Sequence, residues 1–436
     1  MTSDWRTAFG WRIPAGIQAR GRVRVPGDKS ISHRSVILTS LAEGTSRIRG
    51  FLAGEDSLCT ARSFAQMGVR IDGLGTTELV VHGAGRGGLQ TPTADLDMGN
   101  AGTGMRLMAG TLAGQGVACT ITGDASLRRR PMRRIIEPLR QMGAQIAAQG
   151  AGDTAPLRLT PATLHGIDYR SPVASAQVKS CLLLAGLGAG GTTRVHEPAL
   201  SRDHTERMLP QFGVALEVLA DGAAVAGGQT LRACDIDVAA DISSAAFFLV
   251  AGALSDGATL TIEGVGINPT RTGILDCLAA MGAELTIANQ RPQSGEPVAD
   301  VTVRGGALRG TEIGGELLLR ALDEFPILAV AAAFADGTTV FRDAQELRVK
   351  ESDRIAAMEA ALTRIGADVQ AHPDGMTVRG RPRLAGGRIA SRGDHRVAMA
   401  LAVAASRCMG PVEVEDVACV ATSFPGFLEL LEEATR

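Results

Sequence analysis

The stretch ADISSAAFFLVAGALSDGATLTIEG, residues 240–264, contains a polar turn, an apolar helix and a strand in close succession. After Asp241 and the two serines, residues up to Leu254 are almost all apolar, which predicts a helix buried on every side. The residues Ser-Asp-Gly at 255–257 then mark a turn, and TLTIEG is typical of a strand. The stretch therefore predicts one compact α/β unit whose helix is covered by its neighbours.

The same order of elements recurs six times, at spacings of roughly 65–85 residues. The other copies begin with GDKSISHRSVILTSLAEGTSRIRG (27–50), GNAGTGMRLMAGTLAGQGVACTITG (99–123), ASAQVKSCLLLAGLGAGGTTRVHE (174–197), LDEFPILAVAAAFADGTTVFRD (322–343) and GDHRVAMALAVAASRCMGPVEVED (393–416). A second, amphipathic helix follows in most copies, for example over 354–365. Six such units predict an α/β protein with two pseudo-threefold domains of three units each. An ordinary doubly wound sheet is disfavoured because the repeat is too regular.

The fourth copy starts near Asp241 and the first near Pro26, which places three units between them. We therefore expect one domain over 26–240 and a discontinuous one formed by 1–25 and 241–436. The N-terminal strand, within 11–25, should join the C-terminal domain. The two chain crossings would act as hinges, with the active site in the cleft between the domains.

Composition narrows the class of protein. The formal charge is −2 and aromatic residues are 3% of the chain, which argues against a nucleic-acid surface. Seven cysteines without a CxxC pair indicate free thiols in a reducing compartment. Neither a signal peptide nor a run of eighteen apolar residues is seen, so a cytoplasmic protein without a membrane segment is expected.

Only three of the 44 basic residues are lysine, namely Lys29, Lys179 and Lys350. A coding bias toward arginine explains such a ratio, but lysine should then survive mainly where a compact ammonium is needed. Each lysine lies in a dense polar stretch. Functional roles are therefore expected for at least two of them.

Polar residues are concentrated in the turns that begin the predicted buried helices. Helix N-termini offer free N–H groups and a positive dipole end, which suit phosphate and carboxylate groups. The turns carry Lys29, Ser30, Arg34, Asn100, Gly102, Thr103, Arg128, Arg129, Arg130, Ser175, Ala176, Gln177, Arg202, Asp203, Asp323, Glu324, Lys350, Glu351, Arg354, Asp394, His395 and Arg396. Together they predict a receptor for polyanionic substrates in a nearly neutral protein.

Two carboxylates among these cations, Asp323 and Glu351, suggest acid–base chemistry. An aspartate surrounded by arginine and lysine can accept a proton, and a partly desolvated glutamate can donate one. The histidines form neither HxH nor HExxH, so no zinc site is predicted. A Ser-His-Asp nucleophile elbow is also missing from the sequence.

Eight motifs together resemble the 5-enolpyruvylshikimate-3-phosphate synthase family. They are PGDKSISHR (26–34), GNAGTG (99–104), RRRPMRR (128–134), SAQVKS (175–180), SRDHTE (201–206), RVKESDR (348–354), GDHRVAM (393–399) and ATSFPGF (421–427). The resemblance implies transfer of an enolpyruvyl group from phosphoenolpyruvate to the 5-hydroxyl of shikimate 3-phosphate, on the path to chorismate and the aromatic amino acids. It also implies an inside-out α/β barrel in each domain. No cofactor is expected, and because arginines and lysines on two facing domains repel until anions bridge them, domain closure around the substrates is expected. A monomer is expected.

The resemblance assigns roles to individual positions. Shikimate 3-phosphate would be bound by Lys29, Ser30, Arg34, Ser175, Ala176, Gln177, Arg202, Asp323 and Lys350. Phosphoenolpyruvate would be bound by Lys29, Asn100, Gly102, Arg130, Gln177, Arg354 and Arg396. Lys29 would contact both substrates, Asp323 would accept the hydroxyl proton, and Glu351 would donate to the methylene carbon. Lys179 either lines its helix or reaches the shikimate phosphate.

Several positions depart from the pattern of many members. Ala176 replaces a frequent second serine, Thr422 stands where many carry lysine, and Glu346 where asparagine is common. The last two resemble a divergent branch known for tolerance of glyphosate, yet Gly102 leaves room for that inhibitor. Two alternatives remain: the sister transferase acting on UDP-N-acetylglucosamine, which usually carries a reactive cysteine, and a non-catalytic phosphometabolite sensor.

Overall fold

A computed structural model describes residues 5–436 of the chain. The strands are β1 (Arg6–Thr7), β2 (Gly10–Ile13), β3 (Gly21–Val23), β4 (Glu43–Arg49), β5 (Arg70–Asp72), β6 (Glu78–Ala84), β7 (Leu96–Asp97), β8 (Cys119–Thr122), β9 (Gln145–Gly150), β10 (Thr154–Thr160), β11 (Asp168–Arg170), β12 (Thr192–His196), β13 (Leu216–Leu219), β14 (Gly222–Ala226), β15 (Ile236–Asp237), β16 (Thr259–Gly266), β17 (Glu284–Gln293), β18 (Glu296–Arg304), β19 (Glu312–Ile313), β20 (Thr338–Phe341), β21 (Asp368–His372), β22 (Gly375–Arg379), β23 (Gly387–Ala390) and β24 (Val412–Glu415).

The α-helices are α1 (Lys29–Leu41), α2 (Glu55–Gln66), α3 (Gly102–Gln115), α4 (Arg133–Gln141), α5 (Ala176–Gly186), α6 (His204–Met208), α7 (Ile242–Ala253), α8 (Gly273–Ala280), α9 (Gly315–Arg320), α10 (Phe325–Ala333), α11 (Arg354–Arg364), α12 (His395–Ala404) and α13 (Phe427–Ala434). Short 3₁₀ helices cover Leu127–Arg129, Leu209–Phe212, Leu322–Glu324, Gln345–Val349, Ala405–Arg407 and Val417–Thr422.

The described strands form six sheets of four strands each, one for every repeat of the sequence. Their strand orders are β15-β4-β6-β5, β7-β8-β10-β9, β11-β12-β14-β13, β17-β18-β16-β3, β19-β20-β22-β21 and β1-β2-β24-β23. Each sheet has one parallel pair, and its other pairs are antiparallel. A parallel pair needs a crossover, and in four of the sheets that crossover is a buried helix. The predicted fold class, six α/β units in two groups of three, is confirmed.

The chain divides into two compact units. The central unit consists of Gly27–Val238 and Pro292–Glu296. The terminal unit consists of the described residues up to Pro26, together with Ala239–Arg291 and Pro297–Arg436. The chain leaves the terminal unit between β3 and α1 and returns to it between β15 and α7, and the turn between β17 and β18 is assigned to the central unit.

One buried helix lies within each repeat: α1, α3 and α5 in the central unit, and α7, α10 and α12 in the terminal unit. All residues of α7, α10 and α12 are buried, because these helices are apolar around their whole circumference. Each Val, Leu or Phe side chain taken fully out of water contributes about 1.5–3 kcal/mol of transfer free energy. The helices therefore have sheets and other helices on all sides, and their polar residues are confined to their ends.

The second helices of the repeats are α2, α4, α6, α8, α11 and α13. The last begins at the end of the ATSFPGF motif, where Phe424 and Phe427 pack edge to face with their centroids 5.3 Å apart. Phe427 also stacks on Trp11, and Phe248 of α7 packs against both phenylalanines. This aromatic cluster joins the two chain termini to a buried helix of the terminal unit. Among the helices described for residues 5–436, none has the length and apolar character to cross a membrane.

Candidate active site

Four of the six buried helices, α1, α5, α7 and α12, begin with a side-chain cap. The carboxylate of Asp28 accepts a hydrogen bond from the backbone N–H of Ile31 at the start of α1. Asp241 caps α7 in the same way, Asp394 caps α12, and Ser175 caps α5. An N-cap of this kind fixes where the helix starts, and so fixes the functional residues beside it.

In the central unit, Gln177 joins the first turn of α5 to that of α3. Its amide oxygen accepts from Nη1 of Arg106 at 2.7 Å, and its amide nitrogen donates to Oγ1 of Thr103 at 2.9 Å. Arg106 is buried, and its Nη2 donates to the carbonyl of Pro131 at 3.3 Å. The sequence reasoning missed Arg106, although its position four residues after Gly102 places it on the same face of α3.

Arg130 is the arginine of the RRRPMRR motif that lies beside the first turn of α3. It is buried, whereas Arg128 and Arg129 are exposed. Its Nη2 donates to Oδ1 of Asn100 at 2.5 Å, and the amide of Asn100 donates to Asp124 at 2.7 Å. Asp124 therefore orients Asn100, which in turn orients the guanidinium of Arg130.

Gly102 lies directly against this guanidinium. A Cβ atom at Gly102 would lie 2.9 Å from Nη1 of Arg130 and 3.2 Å from Nη1 of Arg106. The structure thus brings together Asn100, Gly102, Arg130 and Gln177, as the sequence predicted for one substrate. A glycine at position 102 allows both guanidinium groups to lie next to the helix backbone.

Arg34 connects α1 to the other predicted residues of the central unit. Its guanidinium donates to Ser180 at 2.6 Å, to Thr205 at 2.7 Å and to the carbonyl of Ser30 at 3.0 Å. Burial lowers the pKa of Arg34 to about 10, so it remains charged at neutral pH. Arg202 is close enough to oppose that charge, which places it on the same side of the unit.

Lys29, at the first position of α1, forms a salt bridge with Asp56 of α2 at 2.9 Å. Its side chain is 18% exposed, so the ammonium is within reach of a small ligand. The carboxylate of Asp56 holds Lys29 in place and balances its charge. We name Lys29, Ser30, Arg34, Asn100, Gly102, Arg130, Ser175, Ala176, Gln177 and Arg202 the basic set.

Lys179 is not among the residues open to solvent. It is 1% exposed, and its Nζ lies 2.8 Å from Glu197 and 2.7 Å from Glu206. Burial alone would lower the pKa of Lys179, but these two carboxylates outweigh it and raise the pKa. Of the two roles left open for Lys179, the structure supports the internal one.

In the terminal unit, three carboxylates surround the buried guanidinium of Arg354, the first residue of α11. Its Nε donates to Asp394 at 2.9 Å, Nη1 to Asp323 at 3.4 Å and Nη2 to Glu351 at 2.7 Å. Burial by itself would lower the pKa of Arg354, but Asp394, Glu351 and Asp323 together raise it. The two predicted acid–base residues therefore share one permanently charged partner.

Arg396, in the first turn of α12, is the second cation beside Asp323. Its Nη1 donates to the carbonyl of Asp323 at 3.1 Å, and its Nη2 lies 3.8 Å from the Asp323 carboxylate. Glu324 lies 3.7 Å from Arg396 and accepts a hydrogen bond from the hydroxyl of Ser243. The buried Arg271 donates to Ser243 at 2.8 Å.

Lys350 lies farther toward the surface. Its ammonium is 3.3 Å from Glu346, and its side chain is 25% exposed. Ser352 in the same segment donates to Asp394 at 3.1 Å, so this loop is attached to the cap of α12. We name Asp323, Lys350, Glu351, Arg354 and Arg396 the acid–base set.

The chemistry available follows from these two sets. The basic set combines cations with the N-termini of α3 and α5, which suits ligands that carry phosphate or carboxylate groups. The acid–base set places two carboxylates, each with a 19% exposed side chain, beside two guanidinium groups. Within residues 5–436, no group of three or more His, Cys, Asp or Glu side chains is arranged to hold a metal ion.

Comparison with known proteins gives consistent matches. A sequence model of one family, described as EPSP synthase (3-phosphoshikimate 1-carboxyvinyltransferase), matches residues 14–431. A protein of Alkalilimnicola ehrlichii named 3-phosphoshikimate 1-carboxyvinyltransferase is 55% identical over 425 residues, which cover 97% of this chain and 95% of that protein.

Solved structures agree with this. EPSP synthase from Acinetobacter baumannii matches with a TM-score of 0.87 at 47% identity, over 97% of this chain and 98% of that one. The enolpyruvyl transferase NikO from Streptomyces tendae has a TM-score of 0.78 over 97% of this chain and 96% of that one. At 20% identity, NikO bears on the fold alone.

Proposed function

The chain belongs to the EPSP synthase family, and from this premise we propose how its residues carry out the family's reaction. The reaction transfers the enolpyruvyl group of phosphoenolpyruvate to the 5-hydroxyl of shikimate 3-phosphate. Its products are 5-enolpyruvylshikimate 3-phosphate and phosphate. The observation that carries the residue assignment is that Asp323 and Glu351 both contact the guanidinium of Arg354.

The basic set binds the two anionic substrates. Ser175, Ala176 and Gln177 offer a hydroxyl group and the first N–H groups of α5, which have no acceptor within the helix. With Arg34 and Arg202 nearby, they bind shikimate 3-phosphate through its phosphate. Asn100, Gly102 and Arg130 bind phosphoenolpyruvate at the start of α3. Lys29, at the start of α1, contacts both.

The acid–base set performs the proton transfers. Glu351 gives a proton to the methylene carbon of phosphoenolpyruvate, which makes C2 cationic. The 5-hydroxyl oxygen attacks C2 while Asp323 takes the hydroxyl proton, giving a tetrahedral ketal phosphate. Loss of phosphate, which carries away the proton taken up by Asp323, together with return of a methyl proton to Glu351, gives the enol ether.

The remaining residues of that set stabilise charge. Arg354 and Arg396 neutralise phosphoenolpyruvate, and Lys350 lies beside the reacting groups. General acid and general base catalysis each raise the rate by a factor of about 10²–10⁴, and positioning the two anionic substrates contributes the larger share of the rate enhancement. Both sets serve one reaction, without a metal or cofactor, in a monomer that acts in the cytoplasm.

Release of inorganic phosphate tests this assignment. The purified chain, given phosphoenolpyruvate and shikimate 3-phosphate together, should release phosphate, but not with UDP-N-acetylglucosamine in place of the shikimate. In Asp323→Asn, kcat should be about 10²–10⁴-fold lower, because the amide cannot accept the proton. Asp336→Asn, at an exposed position away from both sets, is the matched control and should keep full activity.

Three outcomes would contradict the proposal. Turnover of UDP-N-acetylglucosamine would point to the sister transferase. Binding of shikimate 3-phosphate without phosphate release would indicate a sensor. Near-normal turnover in Asp323→Asn would mean that another group accepts the proton.

A further inference from the structure

Three ionisable side chains are buried together beneath the first turn of α5. Lys179 contacts both Glu197, at the end of β12, and Glu206 of α6. The side chains of Lys179 and Glu197 are 1% and 0% exposed. Burying charges is costly, and replacing such a group with apolar residues is often neutral or stabilising. Stability alone therefore does not account for these buried charges.

Glu197 is the member of this group that contacts the basic set. Its Oε1 accepts a hydrogen bond from the backbone N–H of Ser175 at 2.8 Å. Both of its oxygens accept from the hydroxyl of Ser201, at 2.7 and 2.8 Å, and Oε2 accepts from the Ser201 N–H at 3.3 Å. Ser175 is the cap of α5, and Ser201 directly precedes Arg202. One carboxylate thus joins the two segments that carry the proposed phosphate ligands.

The bond from the Ser175 N–H has a chemical consequence. Because Glu197 occupies this N–H, a bound phosphate is left with the Ser175 hydroxyl and the N–H groups of Ala176 and Gln177. Glu197 also accepts at the N-terminus of α5, where negative charge is favourable. Lys179, which Glu197 shares with Glu206, offsets part of this negative charge and so reduces its repulsion of an incoming phosphate.

The contacts of Glu206 differ from those of Glu197. Glu206 pairs with Lys179, while its other oxygen has no hydrogen-bond partner among the described residues. No hydrogen bond of Glu206 reaches Ser175 or Ser201. The two glutamates therefore share the same lysine, and both are buried, but only Glu197 hydrogen-bonds to Ser175 and Ser201. Glu206 instead acts on Arg34 through its charge.

We propose that Glu197 is a positioning residue for shikimate 3-phosphate: it holds the Ser175 turn and the Ser201–Arg202 segment in the arrangement that binds the phosphate. The inference rests on the proposed function. Lys179 is the counter-ion that allows a carboxylate to lie beneath an anion site. Its compact ammonium lies between the two carboxylates with 1% of the side chain exposed, a buried setting for one of the few lysines in this arginine-rich chain.

Glu197→Gln and Glu206→Gln form a matched pair for the test. Each replaces one buried carboxylate with an amide of the same size and leaves Lys179 with one carboxylate. A purely structural role would lower the stability of both variants without separating their kinetics. Steady-state phosphate release, measured against each substrate in turn, separates positioning from folding.

In Glu197→Gln, the KM for shikimate 3-phosphate should rise by about tenfold or more, because charge-assisted hydrogen bonds to two segments are weakened. The KM for phosphoenolpyruvate should stay within about threefold. In Glu206→Gln, both KM values should stay within about threefold. Ser201→Ala, a mild change at a partly exposed position, should raise the KM for shikimate 3-phosphate by a smaller factor even if Glu197→Gln does not fold.

The outcomes are distinguishable. A wild-type chain that releases no phosphate would overturn the proposed function, and this inference with it. An active wild type with an unchanged KM for shikimate 3-phosphate in both Glu197→Gln and Ser201→Ala would overturn this inference alone. The same would follow if Glu206→Gln matched Glu197→Gln in every kinetic parameter.

Discussion

The space around Gly102 is set by two guanidinium groups. A methyl group there would lie 2.9 Å from Arg130 and 3.2 Å from Arg106, so both must shift. Gly102→Ala should therefore raise the KM for phosphoenolpyruvate by about tenfold or more, since small displacements of positioning groups are costly. The KM for shikimate 3-phosphate, measured in the same assay, is the internal control. Equal rises in both values would contradict the assignment of Gly102 to phosphoenolpyruvate.

Individual residues of the site were predictable where motif and chemistry coincide. Asp323 lies just before the apolar helix α10, and Glu351 and Arg354 lie at the start of the amphipathic helix α11, a placement that is visible in the sequence. Arg106 and Glu197 were missed because their roles depend on partners far away along the chain. Gln177 lies 71 positions from Arg106, and Ser175 lies 22 positions from Glu197. From the sequence alone, Arg106 looks like an ordinary helix residue and Glu197 like a residue at the end of a strand.

At the scale of elements, the six buried helices were predictable because their apolar residues surround the whole circumference. The strand order of the sheets was harder to predict. Strand β3 precedes α1 in sequence but pairs with β16, and β15 precedes α7 but pairs with β4. Which strands pair is determined by tertiary contacts, and strands of two or three residues are too short for an alternating pattern that would reveal it.

Close packing of α3 against α5 depends on glycine. A Cβ at Gly110 would lie 2.0 Å from the carbonyl oxygen of Cys181, an atom of the facing helix backbone. Gly110→Ala should therefore force the helices apart and lower the free energy of unfolding by about 1–3 kcal/mol or more. Denaturant unfolding measures this difference.

Gly190→Ala is the control for this experiment. Gly190 lies after α5 in the same unit, and its added Cβ would come no closer than 3.8 Å to another atom. Its midpoint of unfolding should stay near that of the wild type or rise slightly. A Gly110→Ala variant as stable as Gly190→Ala would mean that α3 and α5 can separate without cost.

At the scale of the whole molecule, the repeat explains how a nearly neutral chain concentrates charge. Each repeat supplies a largely apolar helix that must be buried, and many of its polar residues lie at or near the N-terminal end. In each unit three such helices place their first turns within hydrogen-bonding reach of one another through side chains such as Arg34 and Arg396. The same packing that forms the core therefore assembles the functional residues.

Acid stability of the molecule should depend on one imidazole within this core. His33 of α1 is 0% exposed, and its Nδ1 is 2.8 Å from the hydroxyl of Thr60. Its Nε2 has no hydrogen-bond partner among the described residues. Burial, with the nearby charges of Lys29 and Arg34, lowers the pKa of His33 from 6.5 to about 3, against an opposing effect of Asp28.

The sign of the pH effect follows from this shift. Below pH 6.5 the unfolded chain binds a proton that the folded chain does not bind until about pH 3, so stability falls as the pH falls through this window. From His33 alone, the free energy of unfolding falls by about 1.4 kcal/mol for each unit by which the pH falls in this window.

The free energy of unfolding, measured with urea at pH 6.5, 5.5 and 4.5, should fall less steeply with falling pH in His33→Asn than in the wild type. His165→Asn, at an exposed position, should keep the wild-type slope. Equal slopes in all three proteins would mean that His33 takes up its proton in the folded state as readily as in the unfolded chain.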